Sequence, residues 1–558
     1  MSFSWKDRQA ALSSLAENQP EVLIIGGGVV GCSIACHAAR LGLNCVLIEK
    51  NDLAFGASGN STGLAHAGLR YLAQGRLGYV FSEGRERQRL QEIAPHWVRP
   101  FDFLFPVYKK DPFSYAAVRL GTWIYDLLGS VDALLSRKKR ARRHRVVQVQ
   151  ELAARIPGIR AEGLEGATEY FVDAQLQDSR FTMGLAQQAA RHGARILTYT
   201  EAAALSMEAG TIRTVSCRDR LGGQTYDLMV PLVINATGAW IDTVRQFMGW
   251  RNPLVQMSKG IHLVVDHIAD SPLIFSTETK GRVFFVLPMG HEASIVGTTD
   301  TPFDGPPDEA VADTRDVQEL IRRLFHFFPY LKQGSNLMES IELYKEVHVR
   351  DVYWGLRPLV RQAGSTVEAS RGHALVKETP GFWSVPGVKL TAGRAVGEEV
   401  AQEAWKVLRK AAMPDLVPEP LPGGDIDDYD RFVQEAQKRF RLGENSDDII
   451  AYLVSMYGTR YVEVLRWADH EPHYRERVLL EEPWIPAQAA HAVDEEMVLT
   501  LNDFLWRRTK WAHLRDIPDA SLLKVVNVLA ERLDWSPDDV EKQLNDYQTE
   551  RSKHRLVS

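Results

Sequence analysis

The sequence predicts an α/β protein, α+β overall, in which a Rossmann-like domain assembled from discontinuous segments is followed by an all-helical C-terminal domain. Three observations carry that prediction. A glycine-rich turn lies between two apolar runs in "EVLIIGGGVVGCSIACHAARLGLNCVLIEK" (21–50), strand-like and helix-like segments alternate to about residue 410, and beyond residue 428 the apolar residues recur at helical spacing.

The first 20 residues, "MSFSWKDRQAALSSLAENQP", carry scattered charges and no unbroken apolar stretch, so they do not read as a secretory leader. Val22 to Ile25 is a short apolar run suited to a buried strand. Gly26, Gly28 and Gly31 follow in GxGxxG spacing before small residues that suit a close-packed helix, and a second apolar run, Cys45 to Ile48, ends at Glu49. In such a unit the first glycine permits the tight turn, the second admits a pyrophosphate against the backbone, and the third lets helix pack on strand. The helix N-terminus offers N–H donors, and the acid binds a ribose diol. The full series of strand, turn, helix, strand and acid points to a dinucleotide, FAD or NAD.

Next comes "NDLAFGASGNSTGLAHAGLRYL" (51–72), poor in large apolar residues and rich in Gly, Ser, Asn and Ala. Its hydroxyls and N–H groups suit a stretch running along a cofactor, with Ser58, Ser61 and Leu64 as cofactor-side candidates, and it ends in His66, Arg70 and Tyr71. Further on, "FSYAAVRLGTWIYDLLGSVDALLSRKKRARRHRVV" joins an apolar, aromatic-bearing run to seven Lys/Arg between Arg137 and Arg145. That pattern suits a helix lying on an anionic membrane surface; a solvated charge run after a core helix is the alternative.

"RTVSCRD" and "YDLMVPLVINATGAW" read as a hairpin leading to a strand that ends at Ala236, Thr237 and Gly238, small residues that let the chain pass close to a cofactor. No second GxGxxG offers a place for a separate NAD, so one tightly held flavin dinucleotide is the simpler reading. Lys389 ends the strand-like "GFWSVPGVKL", flanked by Val388 and Leu390, and precedes the helix-like "TAGRAVGEEVAQEAWKVLRK". A cation beside a helix N-terminus suits the negative charge that gathers on a reduced flavin, and Thr391 is placed to cap the helix or touch substrate. "MPDLVPEPLPGGDIDD" (413–428), with four prolines, reads as a linker. Beyond it Ser446 and Gly458 bracket one helix, and "DEEMVLTLNDFLWRRTK" and "ASLLKVVNVLAERLDW" show helical spacing.

Composition narrows the classes. A net charge of −6 gives no reason to expect nucleic acid. Four cysteines without a CxxC pattern give neither a disulfide framework nor an iron–sulfur site and fit a reducing cytoplasm; no 18-residue apolar run is present, so membrane contact is expected to be peripheral. Arg70 and Arg357, each among apolar or small neighbours, are candidates to grip a buried anion in a bidentate manner, a carboxylate salt bridge being the alternative for either.

Taken together, "IIGGGVVGCSIA", "HAGLRYL", "LVINATGAWID", "KGIHLVV", "SIVGTTDTPFDG", "GLRPL", "VKLTAGR" and "LNDFLWRRTK" resemble, in order and over nearly the whole chain, the FAD-dependent glycerol-3-phosphate dehydrogenases of the amino-acid-oxidase-like flavoproteins. The resemblance implies oxidation of sn-glycerol 3-phosphate to dihydroxyacetone phosphate, with FAD as cofactor, quinone or another electron acceptor, peripheral attachment to the inner face of the cytoplasmic membrane, and a homodimer as one possible assembly. It implies a substrate domain with a mixed or antiparallel sheet (about 81–184 and 246–344) interleaved with FAD segments (about 19–80, 185–245 and 345–412), then the linker 413–428 and the helical domain 429–558. It makes Arg70, Tyr71, Arg357 and Thr391 substrate-side residues and His66, His262 and Lys389 catalytic candidates, since hydride transfer from an alcohol carbon requires a base for the hydroxyl proton. The respiratory branch usually reads HGGLRYL and GGKLTTYR. This chain has Ala67 in the first, Val388, Ala392 and Gly393 in the second, and Gly63 where a lysine is common. Gly63 and Ala67 look more like the anaerobic branch, whereas the cysteine-free helical tail resembles the aerobic one. A related flavin oxidase of an amine, amino acid or hydroxy acid, or a weakly catalytic flavin-binding protein docked on a membrane, are the alternatives.

Overall fold

The computed structural model describes residues 3–66, 68, 77–135, 144–278, 282–332, 347–361, 375–409, 411–440 and 446–555. Arg70, Tyr71 and Ala67, and the basic residues between 137 and 143, lie outside the described residues.

Four-residue apolar strands, each buried along its whole length, make the centre of a six-stranded sheet. Its order is Val376–Thr379, Phe382–Ser384, Leu232–Asn235, Val22–Ile25, Cys45–Ile48 and Arg195–Leu197. All neighbours run parallel except the first pair. Uninterrupted Val, Leu and Ile runs are what a parallel sheet covered on both faces demands. One cover is the helix Val29–Arg40, whose neighbours include Asp178–Arg191 and Gly393–Arg409. Gly393 and Gly397, one turn apart, make that last approach close: a Cβ on Gly393 would stand 2.8 Å from Val29 Cγ1, and one on Gly397 would overlap Ser33 Oγ. Gly393, like Gly397, is therefore a packing contact of this helix pair.

The second large sheet has nine strands and is mixed. Val255–Asp266 pairs with Val349–Val360, Ala293–Gly297 and Thr301–Phe303, and the sheet continues through Val283–Met289, Leu273–Ser276, Phe103–Tyr108, Leu164–Tyr170 and Arg145–Val147. Leu273–Ser276 and Phe103–Tyr108 form its parallel junction. Two expected boundaries differ here. Residues 349–360 belong to this sheet and not to an FAD segment beginning at 345, because they hydrogen-bond along the whole of Val255–Asp266; the chain returns to the six-stranded sheet only at Val376. Helix Asp178–Arg191 lies against Val29–Arg40 and runs across the boundary expected at 185.

The stretch 413–428 is irregular and largely exposed, but residues 421–424 are buried and fastened. Leu421 is buried, its N–H donates to Ile93 O at 2.8 Å, and Gly423 O accepts from Thr459 N at 3.0 Å. The C-terminal helices enclose their own apolar core, with Trp484 and Trp511 stacked at 4.6 Å. "DEEMVLTLNDFLWRRTK" is not one helix. The helix Ala487–Glu495 stops, Met497 adopts φ +54°, and a wide helical turn, Asp503–Arg508, follows after Asp503 Oδ2 accepts from Leu499 N and Thr500 N, both at 3.0 Å.

Candidate active site

Gly26 takes φ +113°, and a Cβ there would sit 2.7 Å from Ala236 O; a Cβ on Gly31 would overlap Gly26 O. Both glycines are thus required by the approach of turn, helix and neighbouring strand. Gly28 stands at the helix N-cap, and Ser58 Oγ accepts from Val29 N at 2.9 Å, which holds the segment after Glu49 against the helix start. Glu49 accepts from Gly27 N (2.7 Å) and Asn51 N (2.8 Å), and burial raises its carboxyl above the usual range against those two bonds. A cavity of about 330 Å³ opens here. Gly26, Gly28, Glu49, Ser58, Ala236, Thr237, Gly238 and Val388 line it. Gly31 supports the turn behind it, whereas Ser61, Leu64, Lys389 and Leu390 are not in its wall. Leu64 is a core residue beside Val80 and Phe103, and Ser61 bonds to Asp178. Trp240 and Phe55, not singled out by the sequence, face each other at its rim. A dinucleotide fits this cradle: the helix N-terminus at Gly28, a residue with no side chain of its own, opens into the cavity, and Glu49 stands at the end of the second strand in the same wall.

The pairing of Val255–Asp266 with Val349–Val360 sets Ser258, Gly260 and His262 opposite Arg357, Gly355 and Tyr353 on one face. The two glycines form a floor. A Cβ on Gly355 would come within 3.0 Å of Asn60 O, and one on Gly260 would stand 2.6 Å from Arg357 Cζ and Nη1, so the cofactor-side segment and the guanidinium both lie directly on backbone. Arg357 donates to Thr299 O (3.0 Å) and Thr298 Oγ1 (2.9 Å), with Asp300 Oδ1 at 3.7 Å. At the other end His262 Nε2 is 2.9 Å from Thr62 Oγ1, and its ring stacks on Tyr353 with centroids 4.7 Å apart. Burial, then the charges of Arg357 and Lys510, push the imidazole down to about 3, so it is neutral at physiological pH.

Lys389 and Thr391 lie in the turn before helix Gly393–Arg409, since the strand itself ends at Ser384. Thr391 Oγ1 donates to Glu83 Oε2 at 3.1 Å, and Lys389 Nζ is 3.9 Å from the same oxygen. Arg394, in the same motif, forks onto Glu86 at 2.6 and 2.8 Å. The turn is thus fastened to helix Leu77–Ile93 rather than capping its own helix through Thr391. His66 is half-buried just after the short strand Leu64–Ala65.

The model of the family described as FAD dependent oxidoreductase matches residues 21–403, and that of the C-terminal domain of alpha-glycerophosphate oxidase matches 418–540. The aerobic glycerol-3-phosphate dehydrogenase of Staphylococcus aureus (strain MRSA252) is 30% identical over 561 residues, spanning 97% of this chain and 96% of its own. The chain belongs to the FAD-dependent glycerol-3-phosphate dehydrogenase family. The X-ray structure of the glycerol-3-phosphate dehydrogenase from Bacillus halodurans, complexed with FAD, is similar with a TM-score of 0.77 at 26% identity over 100% of both chains. The L-alpha-glycerophosphate oxidase of Mycoplasma pneumoniae, at 18% identity and a TM-score of 0.52 over 72% of this chain and 98% of its own, shares the fold. FAD is accordingly the dinucleotide for the cradle around Gly26 and Gly28.

Proposed function

We propose that this protein oxidises sn-glycerol 3-phosphate to dihydroxyacetone phosphate and hands the electrons to quinone or another acceptor. The observation that carries the reading is the placement of Arg357 and His262 on one sheet face, separated by the glycine pair Gly260 and Gly355. Arg357, held from behind by Thr298 and Thr299, presents a planar cation suited to phosphate oxygens. His262 is the proton acceptor in preference to His66 because it shares the face of Arg357; it is neutral and has a lone pair for the C2 hydroxyl proton, while its burial makes it a weak base before substrate binds. A phosphate dianion beside Arg357 offsets one of the charges that depress the imidazole, so substrate binding itself strengthens the base. FAD, when bound, supplies the hydride acceptor. Gly26, Gly28, Ser58 and Glu49 hold it, and Lys389, which stands outside the cavity wall with Glu83 at 3.9 Å, is assigned to the charge of its reduced form only by its place beside a helix N-terminus. Arg70, Tyr71 and Thr391 are assigned to the substrate side.

Helix Tyr115–Leu135 exposes Leu120, Trp123 and Leu127, three large apolar residues at helical spacing on one stripe just before the basic run. No helix among the described residues is long and apolar enough to cross a membrane. The stripe supports peripheral docking on an anionic leaflet, which is where a quinone is reached. Dye-linked turnover of the purified protein tests the substrate. Activity with glycerol 3-phosphate and next to none with glycerol or amino acids is expected, and equal activity on glycerol would overturn the phosphate assignment.

A further inference from the structure

Residues 507–510 of the C-terminal domain grip the segment 51–63 at two places. Arg508 forks onto Asp52 at 2.6 and 2.8 Å, and Arg507 Nε adds a third bond at 2.6 Å to a carboxylate with no exposure at all. Lys510 Nζ donates to Gly59 O at 3.1 Å and to Asp178 Oδ1 at 2.5 Å. The other oxygen of Asp178 accepts from Ser61 N (3.1 Å) and Ser61 Oγ (2.7 Å), and Ser61 Oγ in turn accepts from Gly63 N at 3.0 Å. Thr62 is therefore the one residue of this turn whose side chain is left to face the sheet, where it meets His262. Tyr353, stacked on the same imidazole, donates its hydroxyl to Ser61 O at 3.3 Å. Lys510 sits at φ +57°, ψ 21°, a left-handed conformation that a lysine keeps only where its surroundings impose it.

We infer that Lys510 is a positioning residue of the active site: paired with Asp178 it fixes the turn Ser61–Gly63, and through Thr62 it sets the orientation of His262. The C-terminal domain then completes the catalytic face rather than merely covering it. The inference rests on the proposed glycerol 3-phosphate oxidation for its kinetic consequence but not for its structural one.

The test compares FAD-loaded wild type, Lys510→Met, Lys510→Arg, Thr62→Val and the double variant K510M/T62V. Hydrogen exchange over residues 56–66 is read together with the limiting rate of anaerobic flavin reduction by glycerol 3-phosphate. In K510M the Ser61 and Gly63 amides should exchange at least about tenfold faster, and the limiting rate should fall by roughly 10- to 100-fold with half-saturation changed less than about threefold. K510R should recover most of that rate. The double variant should be no slower than T62V alone, since both act through one contact. Multiplicative losses, a loss confined to half-saturation, or wild-type exchange in K510M each overturn the inference. Lys510→Gly, which suits the backbone, replaces K510M if the latter does not fold. Wild type left yellow by glycerol 3-phosphate would contradict the proposed function alone, and the exchange rates would then decide the clamp.

Discussion

Replacing Gly260 by alanine displaces a charge without removing it. The new Cβ would lie 2.6 Å from both Cζ and Nη1 of Arg357, so the guanidinium must move by close to an ångström to reach ordinary contact. A shift of that size lengthens the 3.0 Å bond to Thr299 O or the 2.9 Å bond to Thr298 Oγ1 and moves the guanidinium off the proposed phosphate position. Hydrogen bonds to a charged group are worth about 1.5–3 kcal/mol each, and one or two such contacts to the phosphate are lost or weakened. The expected loss is about 2–4 kcal/mol of transition-state binding, which is roughly 30- to 1,000-fold in kcat/KM for glycerol 3-phosphate. FAD content should stay at the wild-type level, because Gly260 does not line the dinucleotide cavity. Steady-state dye-linked kinetics with flavin quantitation read both numbers. A G260A enzyme with wild-type kcat/KM would refute the assignment of Arg357 to the phosphate, and one lacking FAD would place Gly260 in the cofactor site instead.

Gly28→Glu should purify without FAD, since its Cβ would already be 3.1 Å from Ser58 Oγ and the carboxylate would occupy the pyrophosphate space; a yellow protein would misplace the cradle. Arg357→Leu should lose about 2–4 kcal/mol in kcat/KM for glycerol 3-phosphate with FAD retained, matching G260A in direction. His554 is buried, which opposes its charge, but Asp351 and Glu550 outweigh burial and raise it from 6.5 to about 9. Its stabilisation is therefore complete below pH 6.5 and lost as pH rises through 9, so the Tm of wild type should fall over that window more than that of His554→Gln; parallel profiles would discount the pairing of His554 with Asp351 and Glu550. Changing Leu120, Trp123 and Leu127 to serine should move the protein from anionic vesicles to the supernatant with dye-linked turnover unchanged, and undiminished co-sedimentation would return the stripe to plain surface.

The nucleotide unit was legible because its signals are local: Val22–Ile25, the three glycines and Cys45–Ile48 fall within 30 residues, and each glycine answers to a contact close by or on the adjoining strand. His262 and Arg357 were legible as residue types in motifs. Their placement on one face was not, since it depends on pairing between strands almost a hundred residues apart. The FAD segment expected from about 345 has the same origin, since nothing in the residues of Val349–Val360 says which strand they pair with. Prolines in 413–428 correctly excluded helix and strand, yet irregular backbone can still pack, as Leu421 does against Ile93. Least legible was "LNDFLWRRTK". Arg507, Arg508 and Lys510 read as the basic end of a helix, but their partners Asp52 and Asp178 lie more than 300 residues away in sequence.

If Arg357 and His262 hold glycerol 3-phosphate against the bound flavin, hydride passes from its C2 carbon to the flavin. Anaerobic mixing of the purified yellow protein with glycerol 3-phosphate, followed in the visible flavin band, tests it most directly. The account predicts bleaching by glycerol 3-phosphate, with dihydroxyacetone phosphate formed in equal amount to the flavin reduced, and no bleaching by glycerol. A flavin that stays oxidised in the presence of glycerol 3-phosphate, with FAD fully bound and dithionite able to reduce it, would contradict the account.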